Sequence, residues 1–476
     1  MRVLINPTYW IGDISGHSLS ISAINTAKAL SLYSKHRVIL PIPDGDKWLY
    51  AEDTFEGIDE IVPIPWTHKY STNFPSEEWW KKFNTSTGSV YYDMVIDCNS
   101  RIALQLDNMG RVGSLPKRAF HPGSISTPVV IRPLYPVSEL AQDGHMHSYQ
   151  LDTIAQAILP TMHLSPFQKR DAVECAREFV NFSHVKKMID RNVVIPHPIK
   201  LSDIDFVQRK NVDEVRVMFQ TSLAAVKNPG MIGDMFRRLN MMKKPVKMVA
   251  SVPCPRSHVK GVEENMRERI KNELYEDTET YVKPSREKYT ELLAGGDVFL
   301  ALSRSESFGI SYFEQLSAGQ VGIYLGRPWN RGLLPEWYPF VCKDEEEVFA
   351  RLLWVVDNLE EAQNMIKPIR KWIDENLSPQ VVAKKMETYI EEQFKVQAEK
   401  DFKSLKSHWI VGVLEENLKK DKYTMKEIAT IVQKNTKMGV NIFSGSTPWK
   451  HVVRRIMMVL GYVDTCESEV PVFVRK

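Results

Sequence analysis

Short apolar runs alternate with segments of helical spacing over most of the chain. After an apolar run at 2–6 and a loop that contains glycines, Ile21, Ile24, Ala27 and Leu30 recur at the spacing of a helix. The same spacing at 360–372 and 379–393 predicts two helices late in the chain. Further apolar runs, which predict buried strands, lie at 38–41, 61–64, 94–97, 215–220, 246–251, 298–302 and 322–325. The repeated order of strand, loop and helix predicts an α/β protein built from Rossmann-like units.

The segment 303–319, SRSESFGISYFEQLSAG, has the clearest pattern in the chain. It follows an apolar run, contains a polar loop with Gly309, and continues with apolar residues at helical spacing up to Gly319, a C-cap glycine. A strand, a tight loop and a helix N-terminus favour phosphate binding at the loop. Glu306 in the loop and Glu314 in the helix are able to accept hydrogen bonds from sugar hydroxyls. An ordinary β–α unit with two solvated glutamates explains the same spacing.

This segment resembles the Glu-x7-Glu signature of retaining nucleotide-sugar glycosyltransferases with the GT-B fold, the family 4-like group that includes sucrose-phosphate synthases and bacterial mannosyltransferases. The resemblance implies two Rossmann-like domains and a nucleotide-sugar donor, for which we expect a UDP-sugar. It also implies that Glu306 contacts the donor sugar as a catalytic residue and that Glu314 binds the ribose. The backbone at Phe308 and Gly309 would then lie near the donor sugar and diphosphate.

A second segment, 221–229, resembles the Gly-Arg-Leu…Lys-Asn loop of the same family, in which an arginine and a lysine neutralise the diphosphate. Lys227 matches the lysine, whereas Ser222 stands where the arginine is expected. A diphosphate leaving group needs cationic or dipolar stabilisation. We therefore expect either another cation, Arg304 or Arg327, to replace the arginine, or weaker donor binding.

Two residues of the first half complete the predicted donor site. Gly16 lies in the first glycine loop, which in the resembling family comes close to the donor diphosphate; a plain turn glycine is the alternative. His121 follows Phe120, and retaining mannosyltransferases of the family carry a similar Phe-His pair whose histidine contacts the donor sugar. A structural role for His121 is the alternative, because a lone histidine is often part of the packing.

Composition limits the class of protein. The chain has 476 residues, a formal net charge of +3 and 25% charged residues, which is typical of a protein with two or three globular domains. No apolar run approaches a membrane span, and the first residues enter a strand without a signal-peptide pattern. Five scattered cysteines argue against a disulfide framework or a cysteine zinc site and favour a cytoplasmic setting. No Asp-x-Asp motif lies near the donor loop, so we expect no metal there and no cofactor besides the donor.

The last part of the chain has a different character. Between 395 and 455, basic residues outnumber acidic ones by about two to one, and helical spacing occurs three times before an alternating segment at 470–474. Three helices and a strand wing predict a winged helix-turn-helix, and the segments 423–429 and 445–456 resemble the HARE-HTH family. The resemblance implies that Lys450, Arg454 and Arg455 face DNA. A helical module that docks on protein, with a solvated basic face, is the alternative.

These observations predict three domains: an N-terminal Rossmann-like acceptor domain at 1–205, a Rossmann-like nucleotide-sugar domain at 206–400 and a winged helix-turn-helix at 401–476. We predict a retaining transfer of sugar to a hydroxyl on a modified base of double-stranded DNA, such as 5-hydroxymethylpyrimidine. Bacteriophage DNA glucosyltransferases share this kind of fold, so a phage enzyme in the host cytoplasm is one setting. The alternatives are a lipid, polysaccharide, protein or small-molecule acceptor, and a non-enzymatic DNA-binding protein with a decayed transferase core.

Overall fold

The computed structural model describes most of the chain. The described residues are 1–7, 9, 12–14, 18–45, 48–65, 79, 82–83, 92–98, 103, 128–142, 144–210, 212–253, 260–405, 409–435, 453, 456–457, 460–464 and 472–475. The predicted site residues Gly16, His121, Lys450, Arg454 and Arg455 lie outside them.

The first unit is built on a five-stranded parallel sheet. Its strands are β1 (Arg2–Asn6), β3 (Arg37–Asp44), β5 (Glu60–Pro65), β6 (Met94–Asp97) and β7 (Val129–Ile131). They lie in the order β5-β3-β1-β6-β7, and all neighbouring pairs are parallel. Val3, Leu4 and Ile5 of the central strand are fully buried. A strand that is covered on both faces explains why the sequence shows a continuous apolar run there instead of alternation.

Helices and short strands surround this sheet. They are β2 (Gly12–Asp13), α1 (Ser18–Tyr33), β4 (Trp48–Leu49), α2 (Val137–Gln142), α3 (Met146–Ile158), β8 (Met162–His163), α4 (Pro166–Phe179), α5 (Phe182–Arg191) and β9 (Val193–Val194). The helix α4 starts at a clear N-cap, since Ser165 accepts a hydrogen bond from the backbone of Gln168 and Pro166 occupies the first turn.

The second unit is built on a six-stranded parallel sheet. Its strands are β10 (Val215–Phe219), β11 (Val246–Val252), β12 (Glu279–Val282), β13 (Val298–Ala301), β14 (Val321–Leu325) and β15 (Val341–Cys342). The order is β12-β11-β10-β13-β14-β15, the usual order of a doubly wound sheet. The helices between them are α6 (Pro229–Met241), α7 (Val262–Glu273), α8 (Arg286–Gly295), α9 (Ile310–Ala318) and α10 (Glu345–Asp357). Both predicted Rossmann-like units are therefore present as parallel α/β sheets.

Three helices follow the second sheet: α11 (Leu359–Ile366), α12 (Ile369–Leu377) and α13 (Pro379–Leu405). The prediction of a single helix at 360–372 is wrong, because the helix is interrupted at Lys367 and Pro368. Proline has no backbone N–H to continue the hydrogen-bond ladder, and its ring clashes with the carbonyl group of the residue four positions earlier. The helix predicted at 379–393 is present and longer than expected.

The helix α13 returns to the first unit and packs on α1. The backbone N–H of Lys35, just after α1, donates to Glu387 Oε1 at 3.2 Å, and His36 beside it is only 3% exposed. Burial lowers the pKa of His36 to about 3, reinforced by the α-amino group of Met1 and opposed by Glu387. The end of α1 and the middle of α13 therefore pack closely against each other and connect the two units.

The described C-terminal elements are α14 (Trp409–Asn417), β16 (Lys422–Thr424), α15 (Met425–Asn435), β17 (Tyr462–Asp464) and β18 (Val472–Arg475). The strands form an antiparallel sheet in the order β16-β18-β17. Val453, Ile456 and Met457 are buried helical residues in a separate hydrophobic cluster with Tyr423 and Phe473. The winged helix-turn-helix assignment stays a prediction.

Candidate donor site at the carboxyl edge of the second sheet

The second sheet has a topological switch point between β10 and β13. The chain proceeds from β10 to β11 on one side and from β13 to β14 on the other, so the loops after β10 and β13 diverge. In open α/β sheets this divergence leaves a crevice at the carboxyl ends of the strands, where ligands bind. The two loops are 220–228 and 302–309, and they carry Lys227 and Glu306.

Three hydrogen bonds hold these two loops together. The backbone N–H of Arg304 donates to Val226 O at 2.8 Å, and the side-chain amide of Asn228 donates to Leu302 O at 2.7 Å. The Arg304 Nε donates to Asn228 Oδ1 at 3.0 Å. Asn228 has a φ of +53°, a left-handed conformation that asparagine tolerates better than most residues. The loops therefore form one connected surface.

Lys227 and Glu306 form an ion pair across this surface, with Lys227 Nζ donating to Glu306 Oε1. Their side chains are 15% and 14% exposed, so both are largely withdrawn from water yet reachable from the crevice. Burial lowers the pKa of Lys227 to about 8, with the carboxylate of Glu139 on α2 acting in the opposite direction. At neutral pH Lys227 is a cation beside a carboxylate at the predicted donor site.

The helix α9 begins directly at this loop. Gly309 is its N-cap with a φ of +79°, and a Cβ at this position would lie 2.7 Å from Tyr312 Cδ2. Only glycine fits both the backbone conformation and the space without strain. Phe308 is buried and stacks on Phe313, with 4.8 Å between ring centroids. Gly319 ends the helix with a φ of +97°, as the sequence predicts. The positive end of a helix is thereby fixed beside the Lys227–Glu306 pair.

Glu314 lies on α9 but contacts α8 rather than Glu306. Tyr289 donates its hydroxyl to Glu314 Oε2 at 2.7 Å, and Arg286 donates to Oε1 at 3.2 Å. The Glu314 side chain is 16% exposed, and burial raises the pKa of Tyr289 well above its ordinary value. Sequence reasoning missed Arg286 and Tyr289. Ser285, which accepts a hydrogen bond from the Lys288 backbone as the N-cap of α8, was the available signal for the position of this helix.

The first unit contacts the loop after β13 at two points. The hydroxyl of Ser307 donates to Leu134 O, just after β7, at 2.6 Å. The ring of His197 lies 6.1 Å from the ring of Phe308, measured between centroids. The loop after β13 therefore lies against both units, at the position expected of a cleft between them.

Two arginines were candidates to replace the missing arginine at Ser222. Arg304 lies on the same surface as Lys227, through its hydrogen bonds to Val226 and Asn228. Arg327 lies in the loop after β14, where its backbone N–H donates to Asn330 Oδ1 at 3.1 Å. Of the two, the described contacts connect Arg304 to the lysine loop.

No protein-family model and no curated protein matches the chain. Several solved structures match the chain. HepE from Anabaena in complex with UDP-glucose has a TM-score of 0.57 at 9% identity, over 82% of this chain and 100% of that chain. Sucrose-phosphate synthase from Thermosynechococcus elongatus has a TM-score of 0.59 at 13% identity, over 83% and 99%. A glycosyltransferase from Rickettsia africae has a TM-score of 0.54 at 14% identity, over 82% and 97%.

The chain has the GT-B fold. The two parallel sheets are the two halves of that fold, and the switch point of the second sheet lies in its second half. At such low sequence identity the likeness extends to the fold and leaves activity to be argued from the residues. Among the helices that the structure describes, none has both the length and the hydrophobicity to span a bilayer.

Proposed function

We propose that the chain is a retaining glycosyltransferase that moves a sugar from a nucleotide-sugar to a hydroxyl on a modified DNA base, such as 5-hydroxymethylpyrimidine. The observation that carries the enzymatic part is the Lys227–Glu306 pair at the switch point of the second sheet, beside the N-terminus of α9. A cation, a carboxylate and a helix N-terminus are the groups that a diphosphate and a sugar need.

Each group has a role in the proposed reaction. Lys227, Arg304 and the α9 N-terminus stabilise the charge that develops on the leaving diphosphate. Glu306 and His121 hold the sugar, and Glu314 accepts hydrogen bonds from the ribose. The hydroxyl oxygen of the acceptor bonds to the anomeric carbon on the face from which the diphosphate departs. As the bond to the phosphate oxygen breaks, that oxygen takes the hydroxyl proton, so the products are a glycosylated base and a nucleoside diphosphate.

Three backbone positions complete the proposed donor site. Phe308 and Gly309 present main-chain groups of the loop to the donor, and the conformation of Gly309 is fixed by its positive φ. Gly16 approaches the diphosphate from the first unit. A UDP-sugar is the proposed donor, supported by the fold shared with HepE in complex with UDP-glucose. No metal and no further cofactor has a part in this proposal.

The proposed acceptor depends on the C-terminal module. The described elements α14, β16, α15, β17 and β18, with strand order β16-β18-β17, support a winged helix in which β17 and β18 flank the wing. Lys450, Arg454 and Arg455 would contact DNA phosphates. We also propose the domain division 1–205, 206–400 and 401–476, with a cytoplasmic location. Separate sheets support the division, although α13 continues to Leu405.

The test is mass spectrometry of nucleosides from hydroxymethylated DNA, incubated with the protein and a panel of nucleotide sugars. We expect a hexose-sized mass gain on the modified base with one donor and no gain with unmodified DNA. Glu306→Gln serves as the matched inactive variant. No gain with any donor, while a thermal shift still shows nucleotide-sugar binding, would move the acceptor to a lipid, polysaccharide, protein or small molecule. Absence of both binding and turnover would indicate a decayed core.

A further inference from the structure

A histidine and two glutamates meet where the two GT-B halves are joined. His36 lies in the turn between α1 and β3, and Glu387 and Glu391 lie one turn apart on α13. One ligand atom from each residue lies within 4.8 Å of the others. Residues four apart on a helix share one face, so both carboxylates point toward the same turn. His36 is 351 positions from the nearer glutamate in sequence, since 387 − 36 = 351, and no sequence motif links it to the pair.

The imidazole of His36 is buried and makes no hydrogen bond. The residue is 3% exposed, and neither Nδ1 nor Nε2 has a hydrogen-bond partner. A buried polar atom without a partner is destabilising, so such atoms call for an explanation. A bound metal ion explains both the imidazole without a partner and the neighbouring carboxylates, since imidazole nitrogen and carboxylate oxygen are both zinc ligands.

The glutamates are already in contact with lysines. Lys384 pairs with Glu387 Oε2 at 2.6 Å, and Lys35 pairs with Glu391 Oε1 at 2.5 Å. The lysine side chains are 73% and 64% exposed, and exposed ion pairs contribute little to stability. Both ammonium groups are therefore free to turn into solvent when a stronger cation arrives. His36 and Glu387, in contrast, are buried and fixed.

We propose that His36, Glu387 and Glu391 form a binding site for one divalent cation of the zinc type, with water completing the coordination. The mixed nitrogen and oxygen ligands favour zinc over magnesium or calcium, which prefer oxygen ligands throughout. The ion connects the turn after α1 to α13 and so ties the first half of the fold to the helix that returns from the second. The site is distant in sequence from the donor loops and does not depend on the proposed transfer reaction.

The test uses the full chain stripped with a chelator and titrated calorimetrically with zinc and with magnesium. We expect saturable binding of one zinc ion, no comparable binding of magnesium, and a rise in the thermal midpoint with zinc. Glu391→Gln should weaken zinc binding at least tenfold and abolish the thermal shift. Glu392→Gln is the matched control, because it makes the same charge change on the exposed side of the same helix turn.

A second variant, His36→Gln, should weaken zinc binding to the same extent and remove the nitrogen ligand from the spectrum of a cobalt-substituted chain. If burial makes this variant unstable, Glu391→Gln alone decides, since its side chain is 36% exposed. Equal zinc affinity in the wild type and Glu391→Gln would place the ion elsewhere and overturn the proposal. Absence of saturable zinc binding to the wild type would overturn it as well.

Discussion

The two parallel sheets have the same order at their centres but use their switch points differently. In the first sheet, Asn6 ends β1 and Asp97 ends β6, and Asn6 Nδ2 donates to Asp97 Oδ1 at 2.7 Å. Both residues are at most 1% exposed. In the second sheet, the loops after β10 and β13 bring Lys227 and Glu306 together with 15% and 14% exposure.

We interpret this difference as one between a structural polar pair and a pair that is able to bind a ligand. A fully buried pair stabilises the strand ends, whereas a pair that keeps a small exposed surface is able to exchange its partner for a ligand. We expect the second switch point to bind the donor, because its side chains keep this exposed surface. Four predictions test the comparison.

The largest effect is expected at Lys227. Lys227→Ala removes the cation that stabilises the leaving diphosphate, so kcat should fall by about 10²–10³, the range seen when one group that stabilises transition-state charge is lost. Lys227→Arg keeps the charge and should retain much more activity. Release of nucleoside diphosphate, measured at saturating donor, provides the value. Turnover by Lys227→Ala close to that of the wild type would remove Lys227 from the mechanism.

A substitution at the first switch point should lower the stability of the fold and leave donor binding nearly unchanged. Asn6→Ala leaves the buried carboxylate of Asp97 without the Asn6 amide, so the free energy of unfolding should fall by about 1–3 kcal/mol. Denaturant unfolding measures this change, and the donor Kd of the folded variant should stay within about twofold of the wild type. A large change in donor affinity, with stability preserved, would mean that the first switch point also takes part in donor binding.

Substitution of Glu314 should have an intermediate effect, mainly on the KM for the donor. Glu314→Ala removes the proposed ribose acceptor, so the donor KM should rise by about tenfold with a smaller change in kcat. Tyr289→Phe removes only the 2.7 Å hydrogen bond that orients Glu314, and its KM should rise about twofold to threefold. Steady-state kinetics with varied donor separates the two parameters. Unchanged donor kinetics in Glu314→Ala would refute the ribose assignment.

The smallest effect is a pH dependence of donor binding. The pKa of Lys227 is lowered to about 8, so the cation is present below that pH and lost above it. The donor Kd of the wild type should therefore rise several-fold between about pH 7 and 9, because a charge-assisted hydrogen bond to phosphate weakens. Lys227→Arg stays charged and should show a flatter profile. Parallel profiles for both proteins would assign the dependence to another group or to the donor.

The loop and helix at 303–319 were predicted from the sequence more completely than any other part of the candidate site. Gly309 and Gly319 are local signals, because each marks a left-handed backbone position at one end of α9. The resemblance placed Lys227 and Glu306 at one donor site, but their direct ion pair was not predicted, since the two residues are 79 positions apart and local periodicity carries no such information. The expectation that Glu314 is a ribose ligand did not include its contacts with Arg286 and Tyr289, which depend on how α8 packs on α9.

Other features depended on long-range packing. Pro368 by itself indicates a break between two helices, yet the apolar spacing across it predicted one helix. The junction of His36 with Glu387 and Glu391 had no local signal, because it exists only when α13 returns to α1. Cysteine spacing, the usual sequence marker of zinc sites, was uninformative for a cluster of this kind.

The Lys227–Glu306 pair also has a consequence for discrimination. Before a donor arrives, each of the two charged groups satisfies the other. A free phosphate compensates Lys227 but leaves Glu306 as an unpaired, poorly solvated carboxylate, and a free sugar leaves Lys227 in the same position. Only a molecule that brings an anion and hydroxyl groups in one rigid arrangement replaces both contacts at once. We therefore expect the proposed donor site to bind molecules that carry both an anion and hydroxyl groups, and to bind free phosphate weakly.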